Sequence, residues 1–460
     1  MTSRPPQRPS PLSPLLREAH LLRHAGVWSL VAQATVIGGV SGLVMGAFRH
    51  LYDLLSPLLV NTLKAHDIHT WPWALGLAGA LGAMGLLAGW LLRLEPLISG
   101  SGIPQVELTL RGRAPWRRGQ WRRILACKFV GTLNSLVAGL SVGREGPCVQ
   151  MGAAVGAGVA ELTGGPALPR HYIGGCVAGL AAAFGAPVAA TFFAFEELKS
   201  IISAPLVLFT LVAALTAFGV TNGVLGLGLV FPLSAIPALE WQQLWLCPLV
   251  AVAAGLLGMA YNACLVAALY ALDRQAWLPA WARTLSPFAA SLALIYLYPA
   301  VIVGLGPGTA DLALGDWTGL ALLALFAVKL AYSVGSFASG VAGGILMPVL
   351  GMGAMLGAAV ASLLAENALL APQLQPTLTA LGMVAFFAGS VRAPLTAAAL
   401  VTEMCGCWQC LPEIALTALV ATFMANRLGS VPVYDRLRKR LWRHMRPAHP
   451  TPSPLHRHAA

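Results

Sequence analysis

The stretch GREGPCVQMGAAVGA occupies residues 143–157, and a related stretch, GILMPVLGMGAMLGA, occupies residues 344–358. From Pro147 onward, six of eleven positions in the first stretch match the residue found 201 positions later. In both stretches a short segment that contains Gly ends in Pro and is followed by an apolar run. Pro is tolerated in the first turn of a helix, and Gly lets other backbone approach closely. Each stretch therefore predicts the start of a buried helix.

A second pair of segments recurs at nearly the same spacing. The Ala-Pro segment 186–187 is followed by Glu196, and the Ala-Pro segment 393–394, 207 positions later, is followed at the same distance by Glu403. Chance similarity among Ala- and Gly-rich helices is the alternative explanation for either pair alone. The two pairs occur in the same order, and their offsets of 201 and 207 residues are nearly equal. Together they therefore favour a duplicated architecture. Helices broken at matching places in two halves are typical of transporters with a binding site near the bilayer midplane.

The composition is that of a membrane protein. Of 460 residues, 57% are hydrophobic and only 10% are charged, against about 25% charged residues in soluble domains. This excludes an ordinary soluble enzyme, a disordered chain and a disulfide-framed secreted module. Five stretches carry no Asp, Glu, Lys or Arg, and several exceed the roughly 20 residues of one crossing: 201–239, 241–272, 284–310, 330–365 and 367–391.

These patterns predict the fold class. We expect an all-α polytopic membrane protein built from two inverted-topology halves with broken, tilted and half-spanning helices. An outer-membrane barrel would instead show alternating strands of about ten residues. The predicted parts are a basic N-terminal segment, two membrane halves, and a C-terminal helix with a basic tail, at residues 1–25, 26–239, 240–428 and 429–460, respectively.

The cations lie outside the apolar runs. The chain has 29 Lys and Arg residues against 17 Asp and Glu residues, and the Arg residues cluster before the first run, in the 111–123 loop and after the last run. This is positive-inside patterning and not a groove for nucleic acid. We expect both termini to be cytoplasmic, with an even number of crossings. The first run reads as an uncleaved anchor, because residues 1–25 lack the apolar core of a signal peptide.

Convergent helix starts suit an anion. Unpaired N–H groups and the positive end of the helix dipole lie at each start, so several starts meeting in a low dielectric bind an anion without a fixed cation. An anion held in this way can also leave, which a conductor requires. Ser101, in the segment GSGIP at residues 100–104, adds a hydroxyl donor. The alternative is that Ser101 and its glycines only cap a helix.

Carboxylates are scarce, and Glu145 is the most informative of them because it occupies a predicted helix start. When charged, it would fill the anion site; when protonated, it would leave that site empty. Glu196 and Glu403 occupy equivalent repeat positions, so we expect them to share a packing or capping role. Glu197 has no such counterpart. Glu161 and Glu366 read as solvated helix ends.

No pattern of enzyme chemistry is present. The sequence contains neither a G-x-x-x-x-G-K-[ST] phosphate loop nor an H-E-x-x-H zinc helix. Cys405, Cys407 and Cys410 have a spacing that metal sites use, but no His is near them, so we expect packing at the membrane edge and no metal or other cofactor.

The ordered segments resemble the CLC family of chloride channels and proton-coupled anion transporters. The resemblance runs from about residue 30 to residue 442 and rests on GSGIP, on GREGP, on GGILMP where the family has GIFxP, and on the tyrosine of VPVY. The matching residues are Gly100, Ser101, Gly102, Ile103 and Pro104; Gly143, Arg144, Glu145, Gly146 and Pro147; Gly344, Ile345, Leu346, Met347 and Pro348; and Tyr434.

The resemblance implies a homodimer in a bacterial inner membrane, with one anion pathway in each subunit and with chloride and protons as substrates. Ser101 and Tyr434 would offer hydroxyls to a central anion, and the backbone N–H groups of Ile345 and Leu346 would hold the outer path. Glu145 would be the external gate. Glu197 matches the internal glutamate of family exchangers and would transfer protons.

Two departures and several alternatives bear on this reading. Leu346 stands where the family usually has Phe, and Ala342 stands where Pro often precedes the Gly pair. We expect the loss of an aromatic side chain at the central constriction to widen it or to alter gating. Ser101 favours chloride, because family members that select nitrate carry Pro there and fluoride-selective members usually replace that Ser.

The alternatives to a chloride/proton exchanger are a passive gated chloride channel, a member for fluoride or another anion, a membrane enzyme and a non-conducting scaffold.

Overall fold

The computed structural model describes residues 26–65, 70–198, 202–231, 233, 236–275, 279–297, 315 and 317–445. Within these residues the chain forms sixteen α-helices and no β-strand, which confirms the all-α fold class. The helices are α1 Val27–Ala65, α2 Trp71–Leu94, α3 Ile103–Leu110, α4 Gln120–Val137, α5 Glu145–Leu162, α6 Pro169–Phe184, α7 Pro187–Glu196, α8 Ala204–Phe218, α9 Leu246–Arg274, α10 Ala280–Leu297, α11 Gly319–Ala338, α12 Leu346–Glu366, α13 Gln375–Val391, α14 Pro394–Cys405, α15 Leu411–Arg427 and α16 Val433–Met445.

Helices begin where the Gly- and Pro-containing segments predict. α3, α5, α7, α12 and α14 start within or directly after these segments, each with Pro in its first turn. Eight helical stretches among the described residues are long and apolar enough to cross a membrane, and α7 and α14 are shorter apolar helices. The span that contains α13 is 89% buried within the protein, whereas that of α2 is 22% buried. α13 therefore lies centrally and α2 faces lipid.

The two halves use the same close helix contact. α5 packs against α6, and α12 packs against α13. A Cβ atom on Gly156 would lie 1.9 Å from the carbonyl oxygen of His171, and one on Gly357, 201 positions later, would lie 2.0 Å from that of Leu378. Only Gly permits backbones to approach this closely, as at other helix contacts in membranes.

The equivalent loops before α5 and α12 meet each other. Gly143 and Gly344, 201 positions apart, form an antiparallel bridge in which each backbone N–H donates to the other's carbonyl, with both N···O distances 2.6 Å. A reciprocal bond between equivalent residues is the contact expected on a two-fold axis between halves. The structure thus confirms the duplication, with the two halves in inverted orientation.

A second reciprocal contact joins α7 and α14. The Glu403 carboxylate of α14 accepts the backbone N–H groups of Val188 and Ala189 at the start of α7, at 3.1 and 2.8 Å. The Glu196 carboxylate of α7 accepts those of Leu395 and Thr396 at the start of α14, at 3.1 and 2.8 Å. The shared capping role predicted for the two glutamates is therefore confirmed, and each caps the other's helix.

Glu161 and Glu366 lie at helix ends, as predicted, with Glu366 exposed and Glu161 half-buried, and each also accepts one backbone hydrogen bond. Glu161 accepts the backbone N–H of Gly119 at 2.9 Å, and Glu366 accepts that of Gly319 at 3.0 Å. Each carboxylate therefore joins the end of one helix to the start of a preceding one. The terminal segments 1–25 and 446–460 lie outside the described residues, and the boundaries at 239/240 and 428/429 stay predictions.

Candidate functional site

Three backbone segments that lie far apart in the sequence meet at one place. The Gly100 N–H donates to the carbonyl of Val341 at 3.2 Å, and the Gly343 N–H donates to the carbonyl of Gly100 at 3.1 Å. Next to them, the Gly143–Gly344 bridge joins the loops before α5 and α12. The starts of α3, α5 and α12 are therefore gathered around one buried point.

Ser101 lies where the start of α3 touches the start of α5. Its side chain is buried, and a Cβ atom on Gly146 would lie 2.1 Å from its Oγ. Gly102, with a φ of 92°, adopts the left-handed region, which lets the chain turn into α3. The Ser101 hydroxyl makes no hydrogen bond with the described residues. It is a buried donor in contact with a neighbouring helix start.

Lys128 is a residue of the site that the sequence reasoning missed. It is fully buried in α4, and its Nζ donates to the carbonyls of Ile98 and Gly100 at 2.8 and 2.5 Å. These bonds hold the loop that carries Ser101. A single Lys inside an apolar run was the available signal, because an ionisable residue within a membrane helix is a functional candidate by default.

Glu145 is the first residue of α5 and is fully buried. A Cβ atom on Gly143 would lie 2.3 Å from Glu145 Oε2 and 3.0 Å from the backbone nitrogen of Met347, so the carboxylate lies between the starts of α5 and α12. The backbone N–H groups of Glu145, Met347 and Arg144 face it. Neither carboxylate oxygen meets hydrogen-bonding geometry with a described residue. Its strongest charged neighbour is Arg144, whose Nε lies 4.0 Å from Oε1.

The start of α12 carries apolar side chains where α5 carries Glu145. Ile345 and Leu346 are both buried, and Leu346 stands at the position equivalent to Glu145. The first N–H groups of a helix have no partner within that helix. Pro348, the third residue of α12, has no N–H, so the orphan donors of this turn are those of the N-cap residue Ile345 and of Leu346 and Met347.

Tyr434, in the first turn of α16, is fully buried. Ser101, Glu197 and Glu145 all lie near its hydroxyl. Glu197 is itself buried, at the C-terminal end of α7. The structure therefore brings Ser101, Glu145, Glu197 and Tyr434 together around one location.

Ion pairs fix α16 to the rest of the site. Arg438 Nη1 donates to both oxygens of the Glu107 carboxylate in α3, at 2.8 and 3.0 Å, and Arg438 Nη2 lies 2.7 Å from Asp435. Burial lowers the pKa of Arg438, but the Glu107 and Asp435 carboxylates more than offset this, so the pKa lies above its ordinary value. The helix of Tyr434 is thereby tied to the helix that starts beside Ser101.

A cavity of about 380 Å³ reaches Ser101 from the side of α16. Its lining includes Gly100, Ser101 and Leu437, together with Arg93 and Arg283 farther out. Asp273 also lines it but is paired with Arg440, whose Nη2 lies 2.6 Å from Oδ1. The cavity walls therefore carry an excess of positive charge, which raises the local concentration of anions.

This arrangement can hold a small anion. Buried hydroxyls and helix-start N–H groups supply neutral donors, and the Glu145 carboxylate lies among the same donors. A carboxylate and a halide would compete for these donors, since both are anions that a helix start stabilises.

The comparisons with known proteins agree with this geometry. A family model described as "Voltage gated chloride channel" matches residues 84–426, which is most of the chain. The protein belongs to this family, which confirms the resemblance read from the sequence. It is an integral membrane protein of that family.

Curated relatives and solved structures cover nearly the whole chain. The H(+)/Cl(-) exchange transporter ClcA of Vibrio campbellii (strain ATCC BAA-1116) is 32% identical over 429 residues, which cover 89% of each chain. The corresponding protein of Salmonella paratyphi A (strain ATCC 9150 / SARB42) is 31% identical over 428 residues, covering 89% of this chain and 88% of that one.

Two solved structures extend the comparison. The structure of a slow cyanobacterial Cl-/H+ antiporter matches with a TM-score of 0.82 and 26% identity, over 90% of this chain and 98% of that one. A CLC-type fluoride/proton antiporter matches with a TM-score of 0.69 and 22% identity, over 89% of this chain and 97% of that one. The second likeness concerns the fold alone.

Proposed function

We propose that the protein moves chloride across a membrane in exchange for protons, with Glu145 as the external gate and Glu197 as the internal proton-transfer residue. The observation that carries the proposal is the position of the Glu145 carboxylate, buried among the N–H groups at the starts of α5 and α12. The relatives that cover most of the chain are named as proton/chloride exchangers, which supports both substrates.

The anion path in this proposal runs through neutral donors. Chloride lies near the hydroxyls of Ser101 and Tyr434 and the N–H groups of Ile345 and Leu346. Glu145 takes the anion's place when charged and leaves it when protonated. Glu197 and Glu145 both lie near Tyr434. In this proposal protons enter at Glu197 and pass to Glu145.

Reconstituted vesicles test the exchange directly. An imposed chloride gradient should move protons in the opposite direction, recorded as a pH change that accompanies chloride efflux. Glu197→Gln should abolish proton movement and keep anion flux, because an amide does not carry a proton at neutral pH. Glu240→Gln, which changes an exposed carboxylate outside the site, is the matched control. Coupled proton flux through Glu197→Gln would refute the role of Glu197.

A passive chloride channel is the second candidate. The observation that favours it is Leu346, a buried aliphatic residue at the position where the family usually has Phe. A Phe side chain at this position would close the path more completely between transport steps than the smaller Leu side chain does. Chloride flux without any proton movement in wild-type vesicles would select the channel over the exchanger.

The anion itself is part of the proposal. Ser101 supports chloride over nitrate and fluoride. We test this by measuring efflux of each anion from otherwise identical vesicles. Faster fluoride than chloride efflux would place the protein with fluoride transporters.

The proposed setting is a bacterial inner membrane, with both termini cytoplasmic and two copies of the chain forming a homodimer. The basic clusters around the first and last apolar runs support the orientation. Protease digestion of a C-terminal tag in sealed inverted vesicles tests it, and chemical cross-linking in the membrane tests the dimer.

A further inference from the structure

The loop that leads into α3 forms part of the wall of the cavity that reaches Ser101. We call residues 97–100 the wall loop. The residues of this loop that line the cavity are Leu97, Ser99 and Gly100. A peptide carbonyl that faced the cavity would present the negative end of its dipole to an incoming anion and would repel it. The directions of the four carbonyls of the wall loop therefore decide how this wall meets an anion.

Two buried glutamines hold the carbonyls of the wall loop that Lys128 does not. The amide of Gln150, in α5, donates from Nε2 to the carbonyl of Leu97 at 2.8 Å. The amide of Gln105, in α3, donates from Nε2 to the carbonyl of Ser99 at 2.7 Å. Lys128 holds the other two. All four carbonyls are therefore bonded to buried side chains from three helices.

These bonds turn the wall loop so that its carbonyls do not face an anion. Among the described residues, those that line the cavity include neither Gln150 nor Lys128, so the carbonyls that these two hold point behind the wall. Gln105 lines the cavity itself, and its amide covers the remaining carbonyl. In a trans peptide group the N–H points opposite to the carbonyl. The last bond from Lys128 therefore also directs the N–H of Ser101 away from Lys128.

Packing alone would favour apolar side chains at both glutamine positions. The amide oxygens of Gln150 and Gln105 are buried and have no hydrogen-bond partner within the part of the chain that the structure describes. An unpaired buried acceptor costs free energy, which an apolar side chain of similar size would avoid. Residue 351, which is equivalent to Gln150 in the second half, is Gly. The amide donors are therefore what the structure uses at these two positions.

We propose that Gln150 and Gln105 are positioning residues for anion binding. Their amides hold the carbonyls of Leu97 and Ser99 off the anion route, so that the wall beside Ser101 meets chloride with donors and not with acceptors. Both residues act through the backbone of the wall loop and not by contact with the anion. The inference rests on the proposed chloride transport and adds two residues to its site.

Isothermal titration calorimetry of chloride binding to the full-length protein in detergent tests the proposal. Gln150→Met and Gln105→Met keep the approximate volume of each side chain and remove its donor. We expect each to bind chloride about five-fold more weakly than wild type, because a released carbonyl is free to turn toward the anion. Gln409→Met is the matched control. It removes a similar bond, from an amide to the carbonyl of Ile236 at 3.1 Å, outside the cavity lining, and should keep wild-type affinity.

Melting and flux measurements separate positioning from a merely structural role. In vesicles, both variants should raise the chloride concentration that gives half-maximal flux, while the number of protons moved per chloride stays as in wild type. Lower thermal stability with wild-type chloride affinity would show that the amides only stabilise the loop, and would overturn the proposal. If Gln150→Met does not give monodisperse protein, Gln105→Met decides alone. A wild type that neither binds nor moves chloride would instead overturn the proposed function, and this inference with it.

Discussion

The starts of α5 and α12 are equivalent positions with different chemistry. Each follows a Gly that bonds to the other across the two-fold axis, and each has Pro as the third residue of its helix. At the first position of the helix, however, α5 carries Glu145 and α12 carries Leu346. The two halves therefore have similar helix starts, and one side chain gives one of them a titratable group.

The same contrast is absent where the two halves only support each other. Glu196 and Glu403 are both glutamates and make matching caps. Gly156 and Gly357 are both glycines at matching close contacts. Structural positions kept their chemistry in both halves of this chain, whereas the position at the anion site differs. The difference lies at the helix start that carries the proposed gate.

Adding a side chain at the close helix contacts should prevent the helices from packing and should have the largest effect. Gly156→Val and Gly357→Val would each place a Cβ about 2 Å from a carbonyl oxygen, a distance that backbone atoms cannot relieve without moving a helix. We expect loss of monodisperse protein on size-exclusion chromatography for both. Gly39→Val, where nothing lies within 4 Å, should behave as wild type. A defect in one half only would show that the two contacts are not equally tight.

Replacing the first side chain of α5 or of α12 with Ala should show how differently the two helix starts act in transport. Glu145→Ala removes the gate carboxylate, so proton movement should fall to background while chloride flux persists. Leu346→Ala removes no titratable group, so proton movement should remain, although the smaller side chain should let more chloride pass without protons. Both are measured as proton and chloride flux in the same vesicles. Coupled proton movement through Glu145→Ala would contradict the asymmetry.

Removing the reciprocal caps should have the smallest effect. Loss of a capping side chain costs about 1–2 kcal/mol of stability. We expect Glu403→Ala to cost more than Glu196→Ala, because the Glu403 carboxylate is buried and caps a buried N–H of Ala189. Glu196 is half-buried and its bond to Leu395 is exposed, although it also accepts the N–H and the hydroxyl of Thr396. Denaturation in detergent measures both. Arg118→Ala, at an exposed loop position, should change stability by less than about 0.5 kcal/mol. If Glu196→Ala lost more stability than Glu403→Ala, burial would not be what sets the stability that each cap contributes.

Much of the fold was readable from the sequence for a simple reason. Pro and Gly act locally, so the segments that contain them predict helix starts without knowledge of their neighbours. The repeat offset then related Glu196 to Glu403 and predicted a common role. That each glutamate caps the helix of the other was not predictable, because a capping partner about 200 residues away leaves no local pattern.

The candidate site, like the fold, was only partly predictable from the sequence. Ser101, Glu145, Glu197 and Tyr434 were identified from residue type, position and resemblance, and the structure brings them together. Lys128 and the Arg438–Glu107 pair were missed. A Lys in an apolar run and an Arg in a basic helix reveal their roles only through the groups that they touch, here two carbonyls and one buried carboxylate.

The sequence by itself determined the membrane setting, the helix starts and the duplication, since these follow from hydropathy, from backbone restrictions at Pro and Gly, and from repeated spacing. Only the tertiary structure decided which starts converge, which carbonyls Lys128 holds and where the Glu145 carboxylate lies. Those outcomes depend on packing between segments far apart in the chain, where distances of a few ångströms set the strength of every dipole and charge.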